Sequence, residues 1–298
     1  MRRRLNRYFP WLLLSLVLGH LARQRLNASE APESMPSIVE APALRPALTY
    51  QTYPLTSVTV HVLEIPPDHK VQVAIADSLL RVDEFAEQED AIAVLNAGFF
   101  DSQNGRTTSH VLIDGIPVAD PAENERLVGN PDLAPYLDTI LNRSELRRYN
   151  CAGEIQYDIV LHNVAMPQNC SLEFAVGAGP QLLPENAANA EAFTDYDGDQ
   201  LIRDAIGSQQ PNARSAVGIR PDGSLVWAMV AQRADAAGMT LTELADFLGN
   251  LGIEKALNLD GGSSSSLYYE GETWFGRLDA EDRPVERPVK SVLMISSP

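Results

Sequence analysis

The run Leu257-Asn258-Leu259-Asp260-Gly261-Gly262-Ser263-Ser264-Ser265-Ser266 brings a short apolar stretch to one carboxylate, then two glycines, then a string of hydroxyls. A carboxylate at a strand end is held rigidly. Glycines beside it let a ligand come close to the backbone. Serine hydroxyls supply small, rotatable donors and acceptors. That combination suits a sugar or a phosphate, although a plain Gly-Ser turn between two strands has the same composition.

Three further segments carry polar groups at the ends of apolar runs. Asn96-Ala97-Gly98-Phe99-Phe100-Asp101 sets an amide and an acid around a glycine. Its phenylalanines either anchor the loop or offer one face to a sugar, and Asp101 alternatively closes a turn. Ala213-Arg214-Ser215-Ala216-Val217-Gly218-Ile219 places an arginine at the mouth of an apolar run. There its planar fork fits a phosphate or an ordinary surface ion pair. Val176-Gly177-Ala178-Gly179-Pro180-Gln181-Leu182-Leu183 is glycine-rich, but Leu182 stands where a dinucleotide fingerprint needs its third glycine. A shaped turn lining a cleft fits it better.

Other chemistries find less support. Asp195-Tyr196-Asp197-Gly198-Asp199 resembles the start of a calcium loop, yet Gln200 and Ile206 occupy the positions that require glycine and glutamate. Calcium at Asp195, Asp197 and Asp199 stays an alternative; no other metal or cofactor is expected. The chain lacks a G-x-S-x-G elbow and an H-E-x-x-H pair, and the serines at 263–266 have no evident histidine partner. His110 takes a structural role by default.

The elements that must position these groups follow from periodicity. Alternating valines over Ser57–Ile65 predict a half-buried strand, and Val71–Ile75 a second. Leu79–Gln88 is expected to be a short helix, and Ala91–Leu95 a buried strand leading to Asn96. Asp114-Gly115 marks a hairpin within Val111–Val118. Pro121–Asn150 reads as an elaborated loop or short helices, and Glu185–Asp204 as an irregular insertion. Ile155–His162 and Ser171–Val176 are strands flanking the cysteines. Ala213–Ile219 and Ser224–Val230 form a hairpin around Pro221-Asp222-Gly223. Leu241–Leu251 is the best helix, with a Thr240/Glu243 capping box and Gly252 as its stop. Leu267–Tyr269 pairs with Trp274-Phe275, and Ser291–Ile295 closes the chain. Many strands with few helices predict an α+β fold: a mixed, mostly antiparallel sheet core with a few packed helices.

The chain has 298 residues, 45% of them hydrophobic, and a formal net charge of −17. Such a surface repels nucleic acid and anionic lipid, so neither is expected as a partner. Arg2, Arg3 and Arg4 precede an apolar run from Trp11 to Ala22. That run is shorter than the roughly 20 residues of a membrane span and suits an export signal. The chain thus divides into a signal peptide or signal anchor over 1–26, a Pro/Ala-rich linker over 27–50 and a folded domain over 51–298. It is expected to be secreted or periplasmic, touching a membrane only through an uncleaved anchor. Cys151 and Cys170 are the only cysteines and are expected to pair in an exported protein. Closing that loop contributes about 3 kcal/mol by the chain-entropy estimate.

Taken together and in order, Asn96–Asp101, Gly179–Leu182, Arg214–Gly218 and Asn258–Ser264 resemble the phosphodiester glycosidase family. This is the family of the N-acetylglucosamine-1-phosphodiester α-N-acetylglucosaminidase uncovering enzyme and of exopolysaccharide-biosynthesis-like bacterial relatives. The resemblance spans roughly Val58 to Ile295. Ser215 replaces the family's usual threonine, Ser263 replaces a third glycine, and the insertions at 121–150 and 185–204 lie outside its core pattern. The resemblance implies an exported hydrolase that cleaves a sugar-1-phosphodiester, or a related glycoside, at the anomeric C–O bond. Asp260 and Asp101 then become the candidate catalytic carboxylates and Arg214 the clamp on the departing phosphate. Asn96, Gly98, Gly179, Gly261, Gly262, Ser263 and Ser264 are the candidate substrate-binding residues. A non-catalytic carbohydrate-binding or envelope-polysaccharide assembly protein would use the same pocket.

Overall fold

Alternate residues of a strand face opposite sides of its sheet, and in this chain that alternation sorts side chains between layers. The computed structural model describes residues 47–234 and 236–297. The expected signal segment and most of the expected linker lie outside the described residues. Thr49 and Tyr50, expected to end the linker, already belong to a strand.

In chain order the elements are β1 (Thr49–Pro54), β2 (Val58–Ile65), β3 (Val71–Leu80), α1 (Val82–Glu89), β4 (Ala91–Asn96), β5 (Val111–Ile113) and β6 (Ile116–Ala119). Two one-turn helices follow, α2 (Glu125–Val128) and α3 (Leu137–Ile140). Then come β7 (Ser144–Cys151), β8 (Glu154–Leu161), β9 (Cys170–Gly177), β10 (Gln181–Leu183), β11 (Thr194–Asp197) and β12 (Gln200–Asp204). The last third holds β13 (Arg214–Ile219), β14 (Leu225–Gln232), α4 (Leu241–Asn250), β15 (Lys255–Asn258), β16 (Ser266–Tyr269), β17 (Glu272–Phe275) and β18 (Val289–Ser296).

The first sheet runs β1-β2-β14-β13-β15-β10, the second β17-β16-β4-β18-β3 and the third β6-β5-β9-β7-β8, while β11 and β12 form a separate hairpin. Every pairing between these strands is antiparallel. The fold is α+β, as its strand-rich pattern predicts.

Leu63 and Ile65 of β2, Trp227 and Met229 of β14, and Val217 of β13 turn inward to a core shared with Leu95 of β4 and Leu293 of β18. Leu146, Phe174 and Val176 of the third sheet extend that core. The opposite face of the first sheet, with Val60, Val62, Ala228 and Val230, is covered by Leu241, Leu244 and Leu248 of α4. Phe85 of α1 likewise covers Val94 and Val292 behind the second sheet. α4 starts at the expected capping box, in which Thr240 and Glu243 each accept from the other's backbone amide.

β7 is the main departure from the sequence pattern. It lies where a loop or short helices are expected, because its buried residues include Glu145, Arg147 and Arg148. Charges take buried positions here because they pair: Arg147 with Glu145 at 2.5 Å, and Arg148 with Glu173. No apolar alternation is left to read. Cys151 and Cys170 form a disulfide joining paired positions on β7 and β9.

Candidate active site

The register of β13 on β15 sets Ala216 opposite Asn258. Two residues further toward the mouth, the same register brings Arg214 level with Asp260. Leu259 donates its amide to the Ser215 carbonyl, and Gly262 donates to that of Ala213, both at 2.8 Å. The Asp260 amide crosses to the Ala97 carbonyl at 2.9 Å, which ties this end of the first sheet to the end of β4 in the second. A cavity of about 220 Å³ opens there. Arg214, Asp260, Gly261, Gly262 and Ser263 line it, together with Phe99, Ile206, Asn212, Asn258 and Arg277.

Asn96 holds this junction together from beneath. It is fully buried. Its Nδ2 donates to the Asp260 carbonyl at 2.7 Å, while its Oδ1 accepts from Ser215 Oγ at 2.7 Å and from the Ser266 amide at 3.1 Å. One carboxamide thus fastens three distant segments. The hydroxyl retained at Ser215 is what that bond requires.

Asp260 is half-buried at the cavity wall. Burial pushes its carboxyl up to about 6, against the opposing pull of the Ser264 hydroxyl, the positive charge of Arg287 and the Gly261 amide. A carboxylate tuned toward neutrality inside a cleft has the character of a catalytic acid or base. Among the residues lining the cavity it is the only carboxylate. A second cavity, of about 260 Å³, lies between β3, β6 and the Arg106 turn. Its cations are already engaged: Arg106 bonds Glu125 and the Glu123 carbonyl, and Lys290 bonds the Asp77 carbonyl. Among the described residues no three His, Cys, Asp or Glu side chains gather to hold a metal ion.

The sequence model of the phosphodiester glycosidase family matches residues 89–296. The chain belongs to the phosphodiester glycosidase family. No curated protein is matched by the sequence. Among solved structures, the catalytic domain of zebrafish N-acetylglucosamine-1-phosphodiester α-N-acetylglucosaminidase, auto-inhibited by its pro-peptide, superposes with a TM-score of 0.64 at 18% identity. The match covers 86% of this chain and 85% of that one. A Burkholderia pseudomallei protein assigned as exported gives 0.59 at 15% identity, covering 82% and 75%. A hypothetical protein from Synechocystis gives 0.50 at 16%, covering 83% and 61%. At these identities the solved structures show the fold.

Within this phosphodiester glycosidase fold the candidate residues separate. Asp101 is not brought to the cavity. It accepts from the Gln103 amide at 2.8 Å and from Arg126 Nε at 2.7 Å, which makes it the acid that closes a turn. Gly98 is a packing position: a Cβ there would meet the Gly177 carbonyl at 2.9 Å. Gly179 shapes the neighbouring turn, with φ +119° and no room for a Cβ between Glu191 and Phe193. Its amide bonds the Asn258 carbonyl. The 185–204 insertion reaches the site through this contact, since the Phe193 ring packs 5.7 Å from that of Phe99. Asp195 of the same insertion accepts from Tyr136 Oη.

Arg214 lines the cavity but spends its guanidinium elsewhere. Nε bonds the Met239 carbonyl at 3.1 Å, Nη1 that of Ile206 at 3.1 Å, and Nη2 those of Gly207 and Gln210 at 2.6 and 2.9 Å. Four of its five N–H groups therefore brace the loop that forms one wall. The expected phosphate clamp is first of all a loop anchor. Arg214→Ala is expected to cost about 3 kcal/mol or more of stability, because four carbonyls lose their donor. A denaturant titration reads this; an unchanged midpoint with impaired kinetics would restore the clamp as its main role. Asn212 and Arg277, which no motif marks, are the residues that sequence reasoning missed.

Proposed function

We propose that the chain is an exported hydrolase that cleaves a sugar-1-phosphodiester, or a related glycoside, between the anomeric carbon and the leaving oxygen. A departing phosphate monoester carries its negative charge well. It needs cationic stabilisation more than a proton, so one carboxylate suffices where a simple glycoside calls for a matched pair. Asp260 in its ionised form activates the attacking water or stabilises the oxocarbenium-like transition state. The observation that carries this reading is a single desolvated carboxylate lining a cavity that also holds two arginines.

Export is supported by the basic start followed by a short apolar run, by the disulfide, and by the likeness to a protein assigned as exported. The experiment is incubation of the protein with a panel of methyl glycosyl phosphodiesters. Release of reducing sugar and methyl phosphate is expected for at least one sugar, and glycan binding with no release across the panel rejects the reading.

A further inference from the structure

Resting on that reading, we infer that the phosphate is recognised by Arg277 and Asn212 across the open face of Gly262. With Arg214 committed to carbonyls, Arg277 is the arginine that lines the cavity without an ion pair or a side-chain hydrogen bond among the described residues. Its backbone is nevertheless fixed on both sides. Gly276 donates to the Ser265 carbonyl at 2.7 Å and accepts from the Gln232 amide at 2.8 Å, Leu278 donates to Gln232 Oε1 at 3.0 Å, and the Arg277 carbonyl accepts from Val285 at 2.9 Å. Gly276 is wedged so tightly that a Cβ would lie 2.8 Å from Ser265 Cβ and 2.9 Å from the Val230 carbonyl. A rigid support thus presents an unengaged cation.

Asn212 faces the same spot. Its Oδ1 accepts from the Ala213 amide at 2.9 Å, and this assigns the free end of the carboxamide as the donor Nδ2. Gly262, at φ +61°, has no Cβ. The point where one would stand is 3.4 Å from Asn212 Nδ2 and 3.8 Å from both Arg277 Nη1 and Asn212 Oδ1, the last already engaged by the Ala213 amide. Two donors therefore converge on space that any other residue would fill. An oxygen of a phosphate mono- or diester fits that space in size and charge. Asp260 remains free to act on the sugar side of the same cavity.

Binding of inorganic phosphate to the full chain, followed by calorimetry, tests the site separately from turnover. Arg277→Gln is expected to weaken phosphate about 10- to 100-fold, the range of a hydrogen bond to a charged group. Asn212→Asp, which replaces a donor by an anionic acceptor, is expected to weaken it at least as much, and Arg277→Lys to recover part of the loss. Arg283→Gln, whose parent side chain is an exposed partner of Asp279 and Glu281, is expected to bind as the parent does. The inference is overturned if the parent shows no phosphate binding at millimolar concentrations, if Arg277→Gln binds as the parent does, or if Arg283→Gln weakens it equally. Phosphate binding by a parent that cleaves no phosphodiester rejects the proposed reaction and leaves the site standing; cleavage indifferent to Arg277 and Asn212 does the reverse.

Discussion

Asp260→Asn is expected to reduce turnover of a sugar-1-phosphodiester by about 1,000-fold, within the range that general acid–base groups contribute, and to yield a more stable protein at neutral pH. The gain in stability follows from the burial of the carboxyl. Burial raises the Asp260 carboxyl from 3.8 to about 6, so the folded chain holds this proton more tightly than the unfolded chain. The resulting stability is fully present below pH 4 and is lost as pH rises through 6. At pH 7 the ionised side chain costs the parent about 2–3 kcal/mol, which an uncharged amide of the same shape escapes. Melting temperatures at pH 4 and pH 7.5 should diverge, the variant gaining over the parent as pH increases. The parent's kcat/KM should rise between pH 5 and 7 with a midpoint near 6, since the ionised carboxylate is the working form. A flat profile, or a variant that remains active, removes Asp260 from the reaction.

Asn96→Ala should cost about 3–4 kcal/mol, with hydrogen bonds of about 1 kcal/mol each compounded by leaving buried partners unsatisfied. The three partners are the Asp260 carbonyl, Ser215 Oγ and the Ser266 amide. Activity should fall with stability, because the same bonds set the position of Asp260. Ser215→Ala removes one of them and should cost about 1 kcal/mol. Adding it to Asn96→Ala should cost less than the sum, since both changes delete the same contact. Urea titrations of the four proteins read the cycle. A loss below 1 kcal/mol for Asn96→Ala would show that the junction is held by packing alone.

Both residues illustrate what could be read before the fold was known. Most strands of the first and second sheets were legible because their valines, leucines and alanines alternate between two apolar layers, and α4 because its leucines recur at helical spacing and Thr240 caps them; the exposed edge strand β1 and the short β10, read as linker and turn, were not. β7 was hidden by its own solution to burial, charges that neutralise each other within the third sheet. The motif residues announced that four segments belong together, but not in what capacity. Asn96 resembles a ligand group in sequence and proves to be a tie between segments. Arg214 resembles a clamp, yet its partners are backbone carbonyls, which every residue possesses and no pattern reveals. Asp101 could be read either as a catalytic acid or as a turn residue, and its bonds to Gln103 and Arg126 make it the latter. Arg277 gave no signal, for it stands alone in sequence and only the approach of Gly276 to β14 brings it to the cavity; Asn212 sits directly before the Ala213–Ile219 segment and reaches the cavity beside Arg214, but nothing in its own type or spacing sets it apart.

Hydrolysis in water enriched with oxygen-18 tests the central claim most directly. If water attacks the anomeric carbon, the C–O bond breaks and the phosphate monoester departs with its original oxygen. Mass spectrometry of the methyl phosphate released from a methyl glycosyl phosphodiester should then find no label. Label in the phosphate would mean that water attacked phosphorus, and the chain would be a phosphodiesterase rather than a glycosidase.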